Sequence, residues 1–202
     1  VARLILSHHD DYVANYDIHL GIARACALDP EAASACGIPS DAFTTDWHDV
    51  VSDPAVDVVV ELIGGEHPAT EIYEAAFAAG KHVVTANKAL MATFGDEVMD
   101  LAREKNLEVG FEASVGGGIP IIQPLKHSLI SNEITSVMGI VNGTTNYMLT
   151  RMVDDGLSYE DALAEAQAKG FAEADPTADV DGFDAAGKTA ILASIGFGTR
   201  VT

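Results

Sequence analysis

Between Val56 and Ser114, short apolar, β-branched runs alternate with helical segments. That alternation constrains the fold more than any other feature of the chain. VDVVVELIG (56–64) is a continuous apolar run, the pattern of a parallel strand buried on both faces. HVVTAN (82–87) predicts a second buried strand and LEVGFEASV (107–115) a third. Between them, HPATEIYEAAFAAG reads as a helix with Gly80 as its C-cap, and LMATFGDEVMDLAREKN as another. Upstream, residues 2–15 suit a helix, and HLGIARACAL (19–28) is a short β-like run ended by Asp29-Pro30. Ala32 to Cys36 is a short helical piece or loop. A further helix begins near Asp46, with Pro54 beyond its end. Strands and helices alternating at this spacing through residue 113 predict an α/β fold with a doubly wound parallel sheet.

From about Ser114 the pattern changes. VGGGIP (115–120) is glycine-rich and reads as a hinge or turn. ITSVMGIVNG predicts a strand. TTNYMLTRMVDDG and SYEDALAEAQAKG predict helices, each closed by a Gly, the second with Ser158 as N-cap three residues before Asp161. DAAGKTAILASIGFG predicts a third helix. The chain therefore divides at 1–113 and 114–202, a nucleotide-binding α/β domain followed by an α+β domain. A Rossmann-type sheet should open with strand–GxGxxG–helix, and no GxGxxG occurs here. The sheet is thus expected to be partial. Its first strand and phosphate loop should lie upstream of Val1, and the second domain should continue beyond Thr202. Asp29 stands near the end of what would be the second strand. There it is either a turn residue or the acid that takes ribose hydroxyls, which leans to NAD over NADP.

Charge narrows the function classes. Eleven basic against 31 acidic residues give a formal charge of −20. Such a field repels phosphate backbones and anionic lipid, which disfavours nucleic-acid and membrane-surface roles. Two cysteines, Cys26 and Cys36, form neither a disulfide framework nor a zinc set. They fit reduced thiols in a cytoplasmic protein, as does the lack of a membrane-length apolar run or a secretory leader. The seven histidines are not at metal spacing.

The chemistry concentrates in AQAKGFAEADPTADVDGFDAAGK. Glu173, Asp175, Asp179, Asp181, Asp184 and Lys188 fall within 16 residues. Asp184 and Lys188 are four apart and share one face of a helix that starts near Gly182. A carboxylate and an ammonium beside further carboxylates can bind a cationic amine and donate a proton to an oxygen. The plain alternative is a solvated acidic loop with one surface ion pair.

Five segments resemble homoserine dehydrogenases: ELIGG (61–65), GKHVVTANKALMA (80–92), FEASVGGGIP (111–120), GIVNGTTNYMLTRM (139–152) and GFAEADPTADVDGFDAAGKTAILA (170–193). They span residues 61–193 in that family's order and spacing, while residues 1–60 match only as a generic Rossmann half. The resemblance implies an oxidoreductase that interconverts aspartate 4-semialdehyde and homoserine with NAD or NADP. That step lies on the route to threonine, methionine and isoleucine. It also implies a homo-oligomeric parent protein with a small-molecule substrate.

By the same resemblance, Lys188 is the general acid, and Glu173 and Asp184 are the carboxylates that answer the substrate ammonium. Lys88 sits beside nicotinamide and substrate, where it meets the substrate carboxylate or assists proton transfer. Asn87, Thr85, Ile63, Gly64 and Gly170 are cofactor contacts. Glu112, with the carbonyls of Val115, Gly117 and Ile119, matches a structural sodium site, although from the residues alone VGGGIP is equally a plain glycine turn. Two rival readings remain. One is another Rossmann dehydrogenase acting on a small aldehyde or alcohol. Sugar-oxidoreductase-like enzymes of that kind usually carry Glu-Lys-Pro after GKHVV, where this chain has Ala86-Asn87-Lys88-Ala89. The other is a folded fragment without catalytic activity.

Overall fold

The computed structural model describes residues 1–201. They form two compact units. The first comprises Val1–Glu61, His67–Val84 and Leu101–Val109, and the second Leu62–Glu66, Thr85–Asp100 and Gly110–Thr202. Among the described residues no helix is long and apolar enough to cross a membrane.

In the first unit, α1 (Ala2–Ser7) and α2 (His9–Tyr16) replace the single helix expected over 2–15. They break at His8, and neither fully buries a residue. The run 19–28 shrinks to β1 (Ala25–Cys26), which pairs in parallel with β2 (Phe43–Thr44). Gly21 loosens its start, and the Arg24 side chain is drawn to Asp53 at 2.6 Å and the Asp41 carbonyl at 2.7 Å. Between the strands, α3 (Pro30–Ala35) opens on Asp29, whose carboxylate accepts from the Glu31 and Ala32 N–H groups. Asp29 is therefore an N-cap with Pro30 as the first helical residue. α4 (Trp47–Ser52) starts after Asp46, as its cap chemistry predicts.

The main sheet has the order β3 (Val58–Glu61), β4 (His82–Thr85), β5 (Val109–Gly110). Helical crossovers α5 (Ala69–Ala78) and α6 (Lys88–Glu104) connect them. α5 buries Ala69, Ile72, Tyr73, Ala76 and Phe77, one continuous helical face, and Gly80 follows with φ +74°. Burial on both faces of the strands is corrected here. Val59 and Val83 are buried, whereas Val58, Val60 and Val84 are more than 40% exposed. A continuous apolar run tolerates cover on both faces but cannot supply it, and the described residues cover only one. The third strand is also shorter than expected. After Gly110 the chain turns into a 3₁₀ segment, Glu112–Ser114, fixed by the Ser114 hydroxyl on the Phe111 carbonyl at 2.6 Å. Two buried polar groups are satisfied internally. Tyr73 donates to Glu61 at 2.7 Å, and Lys81 Nζ donates to the carbonyls of Asp53 and Val56.

The second unit is mainly helical. α7 (Gly143–Asp154) and α8 (Tyr159–Ala168) pack through Met148, Ala162, Ala166 and Ala172. Ser158 caps α8 through the Asp161 N–H at 3.1 Å. A one-turn helix, α9 (Thr177–Val180), interrupts the acidic loop, and α10 (Phe183–Phe197) begins at Gly182. Along α10, Gly187 faces α6: a Cβ there would meet Lys88 Cγ at 3.5 Å and Ala92 Cβ at 3.6 Å, ordinary van der Waals contact. The strand expected over 134–143 does not form. Met138 and Ile140 are 93% and 76% exposed, and no ladder partner lies beside this stretch among the described residues. A strand is stable only through its cross-strand pairs, so its sequence pattern alone does not produce one.

Replacing Tyr73 with Phe removes the donor to a buried carboxylate. We expect a loss of about 1–3 kcal/mol, read from the urea midpoint of the full-length protein. An unchanged midpoint would mean that Glu61 draws its stabilisation from elsewhere.

Candidate active site

The site in the second unit forms where three helix starts meet. Lys88 is the first residue of α6, Asn142 is the N-cap of α7, and Asp184 lies in the first turn of α10. The α10 periodicity then places Lys188 one turn beyond Asp184 on the same face. Lys188 Nζ donates to Asp184 Oδ2 at 2.6 Å and to the Val141 carbonyl at 2.6 Å. Lys88 Nζ donates to the other oxygen, Asp184 Oδ1. Asn142 Nδ2 donates to Asp184 Oδ2 at 2.9 Å and to Asp179 Oδ1 at 2.7 Å. One buried carboxylate thus bridges two ammonium groups and an amide. This outcome goes beyond the i,i+4 pair that the sequence offered as its plain reading, because Lys88 comes from 96 residues away.

Asn142, Thr144, Tyr147, Gly170, Phe171, Asp179, Asp184 and Lys188, with Gly143, line a cleft of about 620 Å³. The Thr144 hydroxyl donates to the Phe171 carbonyl at 2.6 Å and closes one wall. Tyr147 and Phe171 stack edge to face with centroids 4.9 Å apart. Gly170 has φ +74°, a conformation that lets the chain turn sharply into that wall. Glu173 is not brought to this cluster. It is exposed, and its carbonyl accepts from Gln167 Nε2 at 3.0 Å. Asp175 closes the turn ahead of α9 by accepting from the Thr177 N–H and hydroxyl. Asn142 is the residue that sequence reasoning did not single out, and Asp179 was named only as one of the acidic cluster without a role of its own. The Asn142–Thr145 spacing was a readable cap signal.

The segment after β3 and the start of α6 form a second group. Ile63 is 59% exposed, and Gly64 and Gly65 both have φ above +70°. Asn87 is buried, and its Nδ2 donates to the Gly65 carbonyl at 2.6 Å. Its N–H donates to the Thr85 hydroxyl, and its Oδ1 accepts from the Leu90 N–H. Thr85 and Asn87 therefore hold the loop and the helix start that presents Lys88. At the glycine turn, Glu112 takes a capping role: its carboxylate accepts from the N–H groups of Ile121, Ile122 and Gln123. Burial pushes the Glu112 carboxyl up, but those three N–H groups outweigh it and hold it below 4.5.

For Asp184 too, burial raises the carboxyl, and the hydrogen bonds from Asn142, Lys188 and Lys88 outweigh it. They take it from 3.8 to about 2. A carboxylate depressed in the native state stabilises the fold above its unfolded pKa, and that contribution fades as pH falls through the window from about 4 to about 2. Stability of the full-length protein should therefore fall more steeply across that window than stability of its Asp184→Asn variant. Equal slopes in urea titrations at successive pH values would assign the acid sensitivity to other carboxylates.

Comparison with known proteins identifies the family of the chain. Residues 1–112 match the family described as homoserine dehydrogenase, NAD binding domain, and residues 120–202 match the homoserine dehydrogenase family itself. The chain is 46% identical over 201 residues to homoserine dehydrogenase of Bacillus subtilis, covering 100% of this chain and 46% of that protein. It is 47% identical over 202 residues to that of Corynebacterium glutamicum, covering 100% and 45%. Among solved structures, a homoserine dehydrogenase from Thiobacillus denitrificans superposes with a TM-score of 0.90 at 45% identity, covering 98% of this chain and 46% of that one. A hyperthermophilic archaeal homoserine dehydrogenase mutant in complex with NADPH gives 0.73 at 33% identity, covering 84% and 54%. The chain spans about half the length of the curated relatives it matches. Two family matches that between them take in nearly all of its residues establish that this chain belongs to the homoserine dehydrogenase family.

Proposed function

We propose that the protein carrying this chain interconverts L-aspartate 4-semialdehyde and L-homoserine with NAD or NADP. Residues 1–113 would serve the nucleotide and residues 114–202 the substrate. The observation that carries the reading is the Lys88–Asp184–Lys188 bridge at the cleft, in a chain of this family. When bound, the nicotinamide donates or accepts the hydride. The residues present fit the nicotinamide end of such a cofactor. Ile63 offers exposed apolar surface, and Gly64 leaves open space where a side chain would stand. The relative solved with NADPH supports the same class of ligand.

In the reducing direction, charge builds on the aldehyde oxygen as its carbon takes up hydride. Lys188 is the general acid that gives that oxygen a proton. Asp184 stays ionised and aims both ammonium groups, so Lys188 points along a fixed line toward the cleft and Lys88 is held beside it. In the reverse direction Lys188 takes the proton from the homoserine hydroxyl. Asp184 answers the substrate ammonium, and Lys88 the substrate carboxylate. Glu173, exposed on the loop between α8 and α9, is proposed as the second carboxylate for the ammonium. A monovalent cation at the glycine turn would take the carbonyls of Val115, Gly117 and Ile119 and the one lone pair that Glu112 does not spend on its three N–H partners. Hard oxygens suit such a cation.

The test is homoserine-dependent reduction of NAD⁺ and NADP⁺ by the full-length protein, the two rates deciding cofactor choice. A folded, cofactor-binding protein that ignores homoserine would overturn the reading. Lys188→Ala should lose most of kcat while cofactor affinity stays near wild type, and undiminished turnover would remove Lys188 from the mechanism.

A further inference from the structure

We infer that Asn142 is a positioning residue that locks Asp179 and Asp184 into one fixed pair of carboxylates and thereby sets the line of the Lys188 ammonium. The inference deepens the proposed reaction and rests on it for its kinetic consequence. A primary amide has two lone pairs on oxygen and two N–H donors. Asn142 uses all four. Its Oδ1 accepts from the Thr145 N–H at 2.8 Å and the Thr145 hydroxyl at 2.8 Å. Its Nδ2 donates to Asp184 Oδ2 at 2.9 Å and Asp179 Oδ1 at 2.7 Å. The alternative orientation would press Oδ1 against two carboxylate oxygens and Nδ2 against the Thr145 N–H. Chemistry therefore allows only one orientation.

Two consequences follow. The cap at the start of α7 becomes rigidly joined to acids on α9 and at the start of α10, with the two carboxylate oxygens about 5 Å apart across one nitrogen. And Asp184 Oδ2, which also accepts from Lys188, has its direction fixed by a neutral donor that no pH change removes. The charged groups facing Asp184 are Lys88 from α6, Lys188 from its own helix and Asp179 from α9. Asp179 repels Asp184, and Asn142 is the shared donor between them. Asn142 is itself buried, so water does not replace it.

Asn142→Asp separates this role from helix capping. Aspartate keeps the acceptor for Thr145 and is an equally good N-cap, but it removes the donor to both carboxylates and adds a third negative charge beside them, so the uncharged Asn142→Ser is the variant that isolates the lost donors. Asn142→Ser keeps the cap and one donor. In the full-length protein we expect Asn142→Asp to lower kcat for homoserine roughly 10- to 100-fold, with Asn142→Ser between it and wild type. Aspartate carboxyl ¹³C titration gives a readout independent of activity, the Asp184 resonance being identified by its absence in Asp184→Asn. Its protonation should begin at an at least tenfold lower proton activity in Asn142→Asp, with a smaller shift in the same direction in Asn142→Ser. If both variants titrate and turn over as wild type does, the inference is overturned. If the wild-type protein does not oxidise homoserine, the proposed function falls instead, while the titrations still decide whether Asn142 holds the acid pair.

Discussion

The second unit depends on the compensation of one buried carboxylate. Asp184 is almost fully removed from water, and a lone ion in that position would cost several kcal/mol. Lys88 and Asn142 answer it from two other helix starts, and Lys188 from one turn further along its own helix. Each of those starts must then be held at a fixed place. Gly187 stands where α10 passes α6, and a Cβ there would meet the Lys88 stem at ordinary contact distance, so the two helices pack closely beside the charges they carry.

Around this centre the scaffold is stiffened by polar ties as well as by apolar packing. α7 and α8 share a small cluster built on Met148 and three alanines. Outside it, Glu165 accepts from Lys169 and Arg151 and lies beside Tyr147, contacts that take its carboxyl down to about 2. Lys169 also donates to the Tyr147 hydroxyl at 2.7 Å. Tyr147 in turn forms the aromatic edge of the cleft with Phe171. The wall of the site is therefore anchored from behind by an exposed network, whose effect is to fix a ring's orientation more than to add stability.

Local signals proved more readable than distant ones. Asp46, Ser158, Gly80 and Gly182 mark helix ends through chemistry contained in a few residues, and the structure uses each of them there. Strands did not follow this rule. Residues 19–28, 107–115 and 134–143 all carry β-like patterns, yet they keep a two-residue strand, another two-residue strand and no strand. Pairing energy belongs to two segments at once, and a single segment's pattern cannot say whether its partner is beside it. The candidate site divides in the same way. Asp184 and Lys188 were legible because helix periodicity relates them. Asp179 was named in the acidic cluster but its role was not legible, because its partner is an amide 37 residues away.

The charge of the chain gives this arrangement its meaning. A protein at −20 offers an anionic ligand a repulsive field almost everywhere. At the cleft that field is locally cancelled: Lys88 and Lys188 stand against Asp179 and Asp184, two charges of each sign. A balanced site neither draws in cations indiscriminately nor turns away carboxylates. It favours a ligand that carries both signs at a fixed separation, because such a ligand exchanges partners with the existing pairs instead of leaving one charge buried alone. An amino acid is a ligand of that kind. Selectivity then comes from spacing, since a monoanion or a simple amine of similar size would strand one member of the set.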